Sequence, residues 1–112
     1  MNLQTVIENL QLNVLTEARD FSSIAPMGGY TSDLLSCVMA GAKNGNIWIT
    51  LQAHMNIVAV AAMLEVSAVI ITENAQPDEA TISKANEQGV VLLSTPKASY
   101  EICGMLWDMN LR

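Results

Sequence analysis

The sequence predicts a single α/β domain with a mainly parallel sheet of four to five strands, built from βαβ units, and helices on both faces. Three observations support this fold class. From residue 47 onward, strand-like and helix-like segments alternate three times, which is typical of parallel sheets with helical crossovers. The segment 66–72 is rich in apolar residues, as expected of a strand covered on both faces. A chain of 112 residues also has the size of one domain, so residues 1–112 are expected to fold together.

The first elements follow from hydrophobic spacing. Four apolar residues of the opening segment recur as on one face of a short amphipathic helix. They are Leu3, Val6, Ile7 and Leu10. Leu12 and Val14 then alternate with polar neighbours, which predicts a short first strand. Residues 16–27 are predicted to contain a turn and a strand around Ile24, which the turn at Gly28 and Gly29 would end.

The next helix and strand are predicted from capping and composition. Thr31 or Ser32 can cap a helix whose first turn contains Asp33, where a carboxylate opposes the helix dipole. The buried face of this helix is predicted to consist of Leu34, Leu35, Val38, Met39 and Ala42. Residues 43–46 form a turn, and residues 47–51 have the β-branched and aromatic content of a strand.

The remaining elements complete the alternation. Residues 56–64 are nearly continuously apolar, as in a helix packed on more than one side, and the strand at 66–72 follows. Pro77 fits the first turn of a helix, and Gly89 suits the left-handed residue that would end it. Residues 90–93 are predicted as a strand and residues 97–109 as the last helix. Its buried face is predicted to contain Ile102, Leu106 and Met109.

Composition excludes several classes of partner. The net charge is -6, and the five cations are scattered along the chain. Nucleic acids and anionic membranes require clustered Lys and Arg, so neither is an expected partner. Charged residues make up only 14% of the chain and hydrophobic residues 51%. Because charges are sparse in buried interfaces, we expect another subunit to cover part of the surface. A homodimer is predicted, with Tyr100, Met105 and Trp107 of the last helix as the candidate interface.

The sequence also bears on location and redox state. The longest apolar run, residues 57–71, is shorter than the ~20 residues that span a bilayer. No basic leader followed by an apolar segment opens the chain, so a cytoplasmic protein is expected. Cys37 and Cys103 are far apart and outside any CxxC pair, which predicts two buried free thiols. No metal or other cofactor is expected, because the single histidine lacks a ligand cluster.

Polar residues follow each of the three strands predicted from residue 47 onward. Because ligands bind beyond the carboxyl ends of the strands in such sheets, we expect these residues to line one edge. The candidate ligand-binding residues after the strands are Thr50, Gln52, His54, Asn56, Thr72, Glu73, Ser94 and Thr95. The turn at Gly28 and Gly29, with Thr31 and Ser32 after it, is expected to join the same edge.

Backbone N–H groups at this edge would suit an anionic ligand such as a phosphate. The alternative interpretation is structural, since Ser, Thr and Asn are common helix caps. His54 could act as a catalytic base only if a carboxylate, from Asp33 or Glu73, oriented it. Otherwise it caps or precedes the helix that begins near Asn56. The chain contains neither a dinucleotide fingerprint nor a phosphate-binding GxxxxGK[ST] loop.

Three segments resemble a known family. The GGYTSDLLSCVM block, the GNIWIT strand and the start of the HMNIVAVA helix are similar to DRTGG domains. A more distant similarity connects the chain to the N-terminal domains of HPr kinases and Mur ligases. The name-giving motif would fall on residues 25–29, where only Gly28 and Gly29 match. The resemblance implies a regulatory or assembly module that tends to dimerise and is often attached to CBS domains, with no established biochemical activity.

These observations favour a non-enzymatic regulatory or ligand-sensing module. It would be a homodimer that binds a small anionic ligand, such as a nucleotide or phosphorylated molecule, or a partner protein. One alternative is a purely structural protein-interaction subunit. Another is an accessory enzyme of phosphoryl transfer that uses His54.

Overall fold

A five-stranded sheet organises the chain in the computed structural model, which describes residues 1–112. Its strands are β1 (Asn13–Val14), β2 (Gly29–Thr31), β3 (Ile47–Thr50), β4 (Ala68–Ile71) and β5 (Leu92–Ser94). The spatial order is β1-β5-β4-β3-β2. Strands β2 to β5 pair in parallel, and β1 pairs with β5 in the antiparallel sense. The predicted α/β class with a mainly parallel sheet is therefore confirmed.

Five helices cover the two faces of this sheet. They are α1 (Leu3–Leu10), α2 (Leu35–Gly41), α3 (Asn56–Leu64), α4 (Glu79–Gln88) and α5 (Ser99–Asp108). On one face, α1 and α5 bury residues such as Val6 and Ile102. On the other face, α2, α3 and α4 bury Val38, Ile57 and Ala85. Each sheet face therefore has its own hydrophobic core.

The alternation of side chains along β3 shows how the strands serve both cores. Ile47 and Ile49 pack into the core of α1 and α5, and Trp48 packs into the opposite core. Trp48 is fully buried, and its indole N–H donates a hydrogen bond to Ser32 O at 3.0 Å. This bond satisfies the one polar atom of a large buried side chain.

The ends of α4 agree with the prediction at Gly89 but not at Pro77, which lies before the N-cap and outside the first turn. Asp78 is the N-cap of α4, and its carboxylate accepts a hydrogen bond from the Thr81 N–H at 2.8 Å. Gly89 follows the helix with φ +71°, the left-handed conformation expected for a glycine that ends a helix. Near the amino terminus, the Asn2 side chain caps α1 by accepting a hydrogen bond from the Thr5 N–H at 2.9 Å.

The structure corrects the prediction of a strand around Ile24. A 3-10 turn spans Phe21–Ser23, and Ile24 O accepts a hydrogen bond from the Leu3 N–H at 2.8 Å. This bond ties Ile24 to the start of α1 instead of to a neighbouring strand. The strand of this region is β2, which begins at Gly29. Gly28 therefore precedes a strand and Gly29 is its first residue, whereas the sequence predicts that both end one.

The prediction for α2 is partly wrong. The helix begins at Leu35, and its N-cap residue Leu34 has no side-chain cap, so neither Thr31 nor Ser32 fills that position. Val38 and Ala42 are buried, as expected, but Leu34 and Met39 are 60% and 51% exposed. These two side chains are exposed because α2 packs on β2, the last strand of the sheet, and has a neighbouring helix, α3, on one side only.

The cysteines also differ from expectation. Cys37 is exposed and Cys103 is half-buried, and both thiols are free. Cys37 lies on α2, whose buried residue is Val38, and this position leaves Cys37 exposed. None of the helices is both long and apolar enough to cross a bilayer.

Candidate ligand site at the carboxyl edge of the sheet

The loops after β3, β4 and β5 meet at the carboxyl edge, as predicted, and hydrogen bonds join their polar side chains. Thr50, Thr72, Ser94 and Thr95 are all buried. The Thr72 N–H donates to Thr50 O at 2.9 Å, and the Thr72 hydroxyl donates to the same oxygen at 3.3 Å. The Thr95 hydroxyl accepts from the Lys97 N–H at 3.2 Å. These residues form the base of the edge and fix its loops.

Asp33 connects the end of β2 to the end of β3. Its Oδ1 accepts hydrogen bonds from the Thr50 hydroxyl and the Leu51 N–H, both at 2.9 Å. The Gln52 side-chain amide donates to Asp33 O at 3.2 Å. The Ser32 hydroxyl also has a partner, since it accepts a hydrogen bond from the Leu34 N–H at 3.2 Å. Two of the predicted ligand-binding residues, Ser32 and Gln52, therefore already have intramolecular partners.

Glu73 connects the ends of β4 and β5. Its carboxylate Oε2 accepts a hydrogen bond from the Ser99 N–H at 2.7 Å, at the start of α5. The N-cap residue of α5, Ala98, offers no side chain for this purpose. Glu73 and Asn74 both have φ of +60°, and their N–H groups donate to Lys97 O and Thr95 O. The carboxylate of Glu73 therefore caps a helix and holds two loops together.

His54 lies in an open cleft of about 480 Å³ at the same edge. The cleft is lined by Ala53, His54, Met55, Gln76, Asp78 and Thr81. Its volume lies within the ~300–1,000 Å³ typical of small-molecule sites. The Nδ1 atom of His54 accepts a hydrogen bond from the Asn56 N–H at 3.1 Å. In the neutral ring the proton must then be on Nε2, which leaves one N–H donor for a ligand.

Asp78 contributes the negative charge of the cleft. Hydrogen bonds from the side chain and then from the backbone N–H of Thr81 lower the pKa of Asp78 below its ordinary value of 3.8. The positive charge of His54, when protonated, acts in the same direction. Asp78 is therefore an ionised acceptor at neutral pH. The cleft thus offers an imidazole donor, a side-chain amide and a carboxylate around an apolar rim.

The structure brings together only part of the predicted site. Gly28 and Gly29 lie at the opposite edge, because Gly29 pairs with Ile47 at the amino end of β3. The glycines are expected at the carboxyl edge because their turn is predicted to lead into a helix, but the strand β2 separates them from α2. Thr31 is at the carboxyl end of β2, where its hydroxyl donates to Ile49 O at 3.1 Å. It does not line the cleft, which is formed by the loops after β3 and β4.

Three cleft residues were missed by sequence reasoning, namely Gln76, Asp78 and Thr81. The segment after β4 gave a signal for them, because it is polar from Glu73 to Asn74 and again around Asp78. Asp78 directly follows Pro77, where the sequence predicts the start of a helix and gives no sign of a neighbouring His54. Nothing in the spacing of the two residues indicates that the loops after β3 and β4 face each other at this point.

The arrangement expected for catalysis by His54 is not formed. The carboxylates of Asp33 and Glu73 accept hydrogen bonds from Thr50, Leu51 and Ser99, and the imidazole of His54 bonds only to the Asn56 N–H. Neither carboxylate orients the imidazole. The chain also contains no group of three or more His, Cys, Asp or Glu side chains that could hold a metal ion.

Comparisons with known proteins agree with the fold. Curated protein sequences give no significant match. Among solved structures, the chain is similar to the CBS and DRTGG domains of the regulatory region of Clostridium perfringens pyrophosphatase, complexed with the activator diadenosine tetraphosphate. The TM-score is 0.75 at 18% sequence identity, over 93% of this chain and 45% of that one. The chain thus spans less than half the length of that structure.

The DRTGG domain family matches residues 33–109, more than half of the chain. The matched segment runs from the loop before α2 to the end of α5, and so includes three of the four parallel strands and the whole cleft. Residues 25–29, where the name-giving motif was expected, precede this segment. On this evidence the chain belongs to the DRTGG domain family.

Proposed function

We propose that the protein is a non-enzymatic regulatory module that senses a small phosphorylated molecule, with a nucleotide as the favoured class. The observation that carries the proposal is the cleft around His54, where the loops after β3 and β4 leave about 480 Å³ open at the carboxyl edge. Many other polar side chains of this edge are already hydrogen-bonded to neighbouring side chains or backbone groups. The cleft differs in that the Nε2–H of His54 has no partner within the chain and is open to a ligand.

The charges of the cleft suggest how such a ligand would lie. The Nε2–H of His54 would donate to a phosphate oxygen, and its protonation would strengthen that contact. The carboxylate of Asp78 would repel a phosphate and would accept a hydrogen bond from a neutral donor such as the amino group of a base. Ala53 and Met55 would contact the apolar faces of the ligand. We therefore propose that the base lies toward Asp78 and the phosphate toward His54.

The structural comparison supports the regulatory part of the proposal. The similar pyrophosphatase structure is a regulatory region in complex with a dinucleotide activator. At 18% identity the likeness establishes the fold and does not transfer a binding site. The shared architecture nonetheless makes a sensing role the best-supported function. The Nδ1 atom of His54 is hydrogen-bonded to a backbone N–H and not to a carboxylate, which supports a role other than catalysis.

The proposal is tested by thermal unfolding with a panel of adenine and guanine nucleotides, dinucleoside polyphosphates, acetyl phosphate and sugar phosphates. At a concentration of about 100 times Kd, a ligand adds roughly 2.7 kcal/mol to the free energy of unfolding. For a domain of this size the melting temperature should rise by about 10 °C. We expect His54→Ala to abolish the shift.

Gln88→Ala is the matched control, because Gln88 is exposed at the far end of α4 and does not line this cleft. It should retain the full shift. The proposal would be refuted if no compound raised the melting temperature, or if His54→Ala responded as the wild type does. In the first case the purely structural subunit would become the favoured function.

We also propose that the module acts as a homodimer in the cytoplasm. Support for the dimer comes from the sparse charge of the chain and from the exposed side chains of α5. Tyr100 and Trp107 are 92% and 58% exposed, and Met105 is half-buried. A dimer of two regulatory modules would allow a ligand bound to one copy to influence the other.

A further inference from the structure

The strand β2 has an open edge. It is the last strand of the sheet and pairs only with β3. The Ile47 N–H donates to Gly28 O at 3.0 Å. Along a parallel strand, the backbone N–H and C=O groups of successive residues point alternately to one side of the strand and to the other. The backbone groups of Tyr30, two residues after Gly28, must therefore also point toward β3. The N–H and C=O groups of Gly29 and Thr31 then point away from the sheet and have no strand partner.

An apolar groove runs between this edge and α5. It has a volume of about 210 Å³, and six of its nine lining residues are hydrophobic. They include Ile49, Cys103, Leu106, Trp107 and Leu111. Gly29 contributes no side chain, and a Cβ at this position would lie 3.6 Å from Ile49 Cδ1 and 3.4 Å from Ile47 O. The groove is therefore open along β2 because the strand carries a glycine there.

The charge around the edge is opposite in sign to that of the whole chain. A second cleft, of about 580 Å³, lies at the amino end of β2 and shares Gly29, Tyr30, Leu111 and Arg112 with the groove. The charged side chains that line the two clefts are those of Lys43 and Arg112, and no Asp or Glu is among them. The net charge of the chain is -6. The edge is thus a local cationic and apolar surface on an acidic protein.

We propose that this edge is a docking site for an extended segment of a partner protein. The segment adds a strand beside β2 through the free backbone groups of Gly29 and Thr31. One of its side chains is apolar and enters the groove toward Trp107. A residue nearer the amino end of β2 is acidic and pairs with Lys43 or Arg112. This site is separate from the cleft at His54, so a ligand and a partner can bind together.

The test selects peptides from a random heptapeptide library displayed on phage, with the folded wild-type protein as the target. We expect enrichment of sequences that combine an apolar residue with an acidic one. A selected peptide, synthesised and measured by fluorescence polarisation, should bind Thr31→Pro about tenfold more weakly, because proline removes an outward N–H donor. An edge strand tolerates this proline, since the lost N–H has no partner within the chain.

Gly29→Val provides a second disruption, because its branched side chain fills the groove while favouring a strand. Gly104→Ala is the control. It adds a methyl group on the exposed side of α5, where no atom lies within 4 Å of the new Cβ, and it should bind the peptide unchanged. Circular dichroism checks that each variant is folded.

Three results would overturn the proposal. The library could yield no enriched sequence, or the enriched peptides could bind Thr31→Pro and Gly29→Val as tightly as the wild type. A wild-type dimer that became monomeric in both variants would instead show that a second copy of the chain occupies the edge. None of these results depends on the thermal shifts expected for the cleft at His54, so the two proposals can fail separately.

Discussion

At the scale of single residues, the carboxyl edge shows how similar side chains acquire different roles. Asp33 and Glu73 each accept hydrogen bonds from neighbouring loops, and Asp78 caps a helix while lining an open cleft. All three are exposed. What separates them is their position relative to the strand ends. Only Asp78 lies where a bound molecule could reach it beside His54.

The perturbed titration of Asp78 leads to a prediction for acid unfolding. Its pKa in the folded protein lies below 3.8, which is close to the value in the unfolded chain. The ionised carboxylate therefore stabilises the fold above that value, and this contribution is lost as the pH falls through the folded pKa. In Asp78→Asn the amide oxygen can still cap α4. We expect the urea midpoint of this variant to fall less steeply than that of the wild type below about pH 4.

The measurement is urea unfolding at a series of pH values. The decrease in the urea midpoint from neutral to acidic pH is compared between the wild type and Asp78→Asn. Asp108→Asn serves as control, since Asp108 is exposed near the end of α5 and lies outside the cleft. An equal dependence of the urea midpoint on pH in the wild type and in Asp78→Asn would contradict the prediction.

At the scale of elements, helices and strands whose signals are local were predicted well. Residues 56–64 form α3 over the same range, and Gly89 ends α4 in a left-handed conformation. The region before β3 was predicted less well because its structure depends on distant partners. Ile24 bonds to Leu3, and Gly29 becomes part of a strand only because β3 lies beside it. The composition of residues 21–31 does not contain that information.

The same limit applied to the candidate site. Polar residues after strands were correctly expected at one edge, because parallel topology determines where strand ends lie. Which of them face solvent was decided by hydrogen bonds between loops, such as that from the Thr50 hydroxyl to Asp33. Residues 17 positions apart gave no sequence signal for this contact.

The cap supplied by Glu73 leads to a prediction for α5. Its carboxylate accepts the Ser99 N–H at 2.7 Å, and no other side chain caps this helix. Loss of such a cap typically costs about 1 kcal/mol. We expect Glu73→Ala to lower the free energy of unfolding by about that amount, measured by urea denaturation. Glu73→Gln retains an oxygen acceptor and should lose less. An unchanged stability of Glu73→Ala would show that the cap contributes nothing.

At the scale of the whole molecule, the open surfaces lie apart. The cleft at His54 is formed by the loops at the carboxyl ends of β3 and β4, and the groove lies along the free side of β2. The outer side of α5 carries Tyr100, which is 92% exposed. Ligand binding would therefore use a part of the surface separate from α5, whereas partner docking and self-association would share Trp107.

The proposed dimer leads to a prediction for light scattering. The wild type should have twice the 12.1 kDa mass of one chain. Tyr100→Glu should shift the protein toward monomer, because a charge in an interface core is unfavourable. Gln88→Glu adds the same charge at an exposed position on α4 and should leave the mass unchanged. A monomeric wild type at high concentration would show that the dimer does not exist.

The pairing of β1 with β5 has a consequence for how the chain folds during synthesis. Strands β2 to β5 lie side by side in the order in which they are made, so each can join a partner that already exists. The segment of α1 and β1 leaves the ribosome before the other elements of the domain, yet its partner strand β5 is made after β2, β3 and β4. The strand β1 therefore cannot pair until β5 has been synthesised. The apolar residues of this segment stay exposed until then, which makes them the natural point of contact for a chaperone.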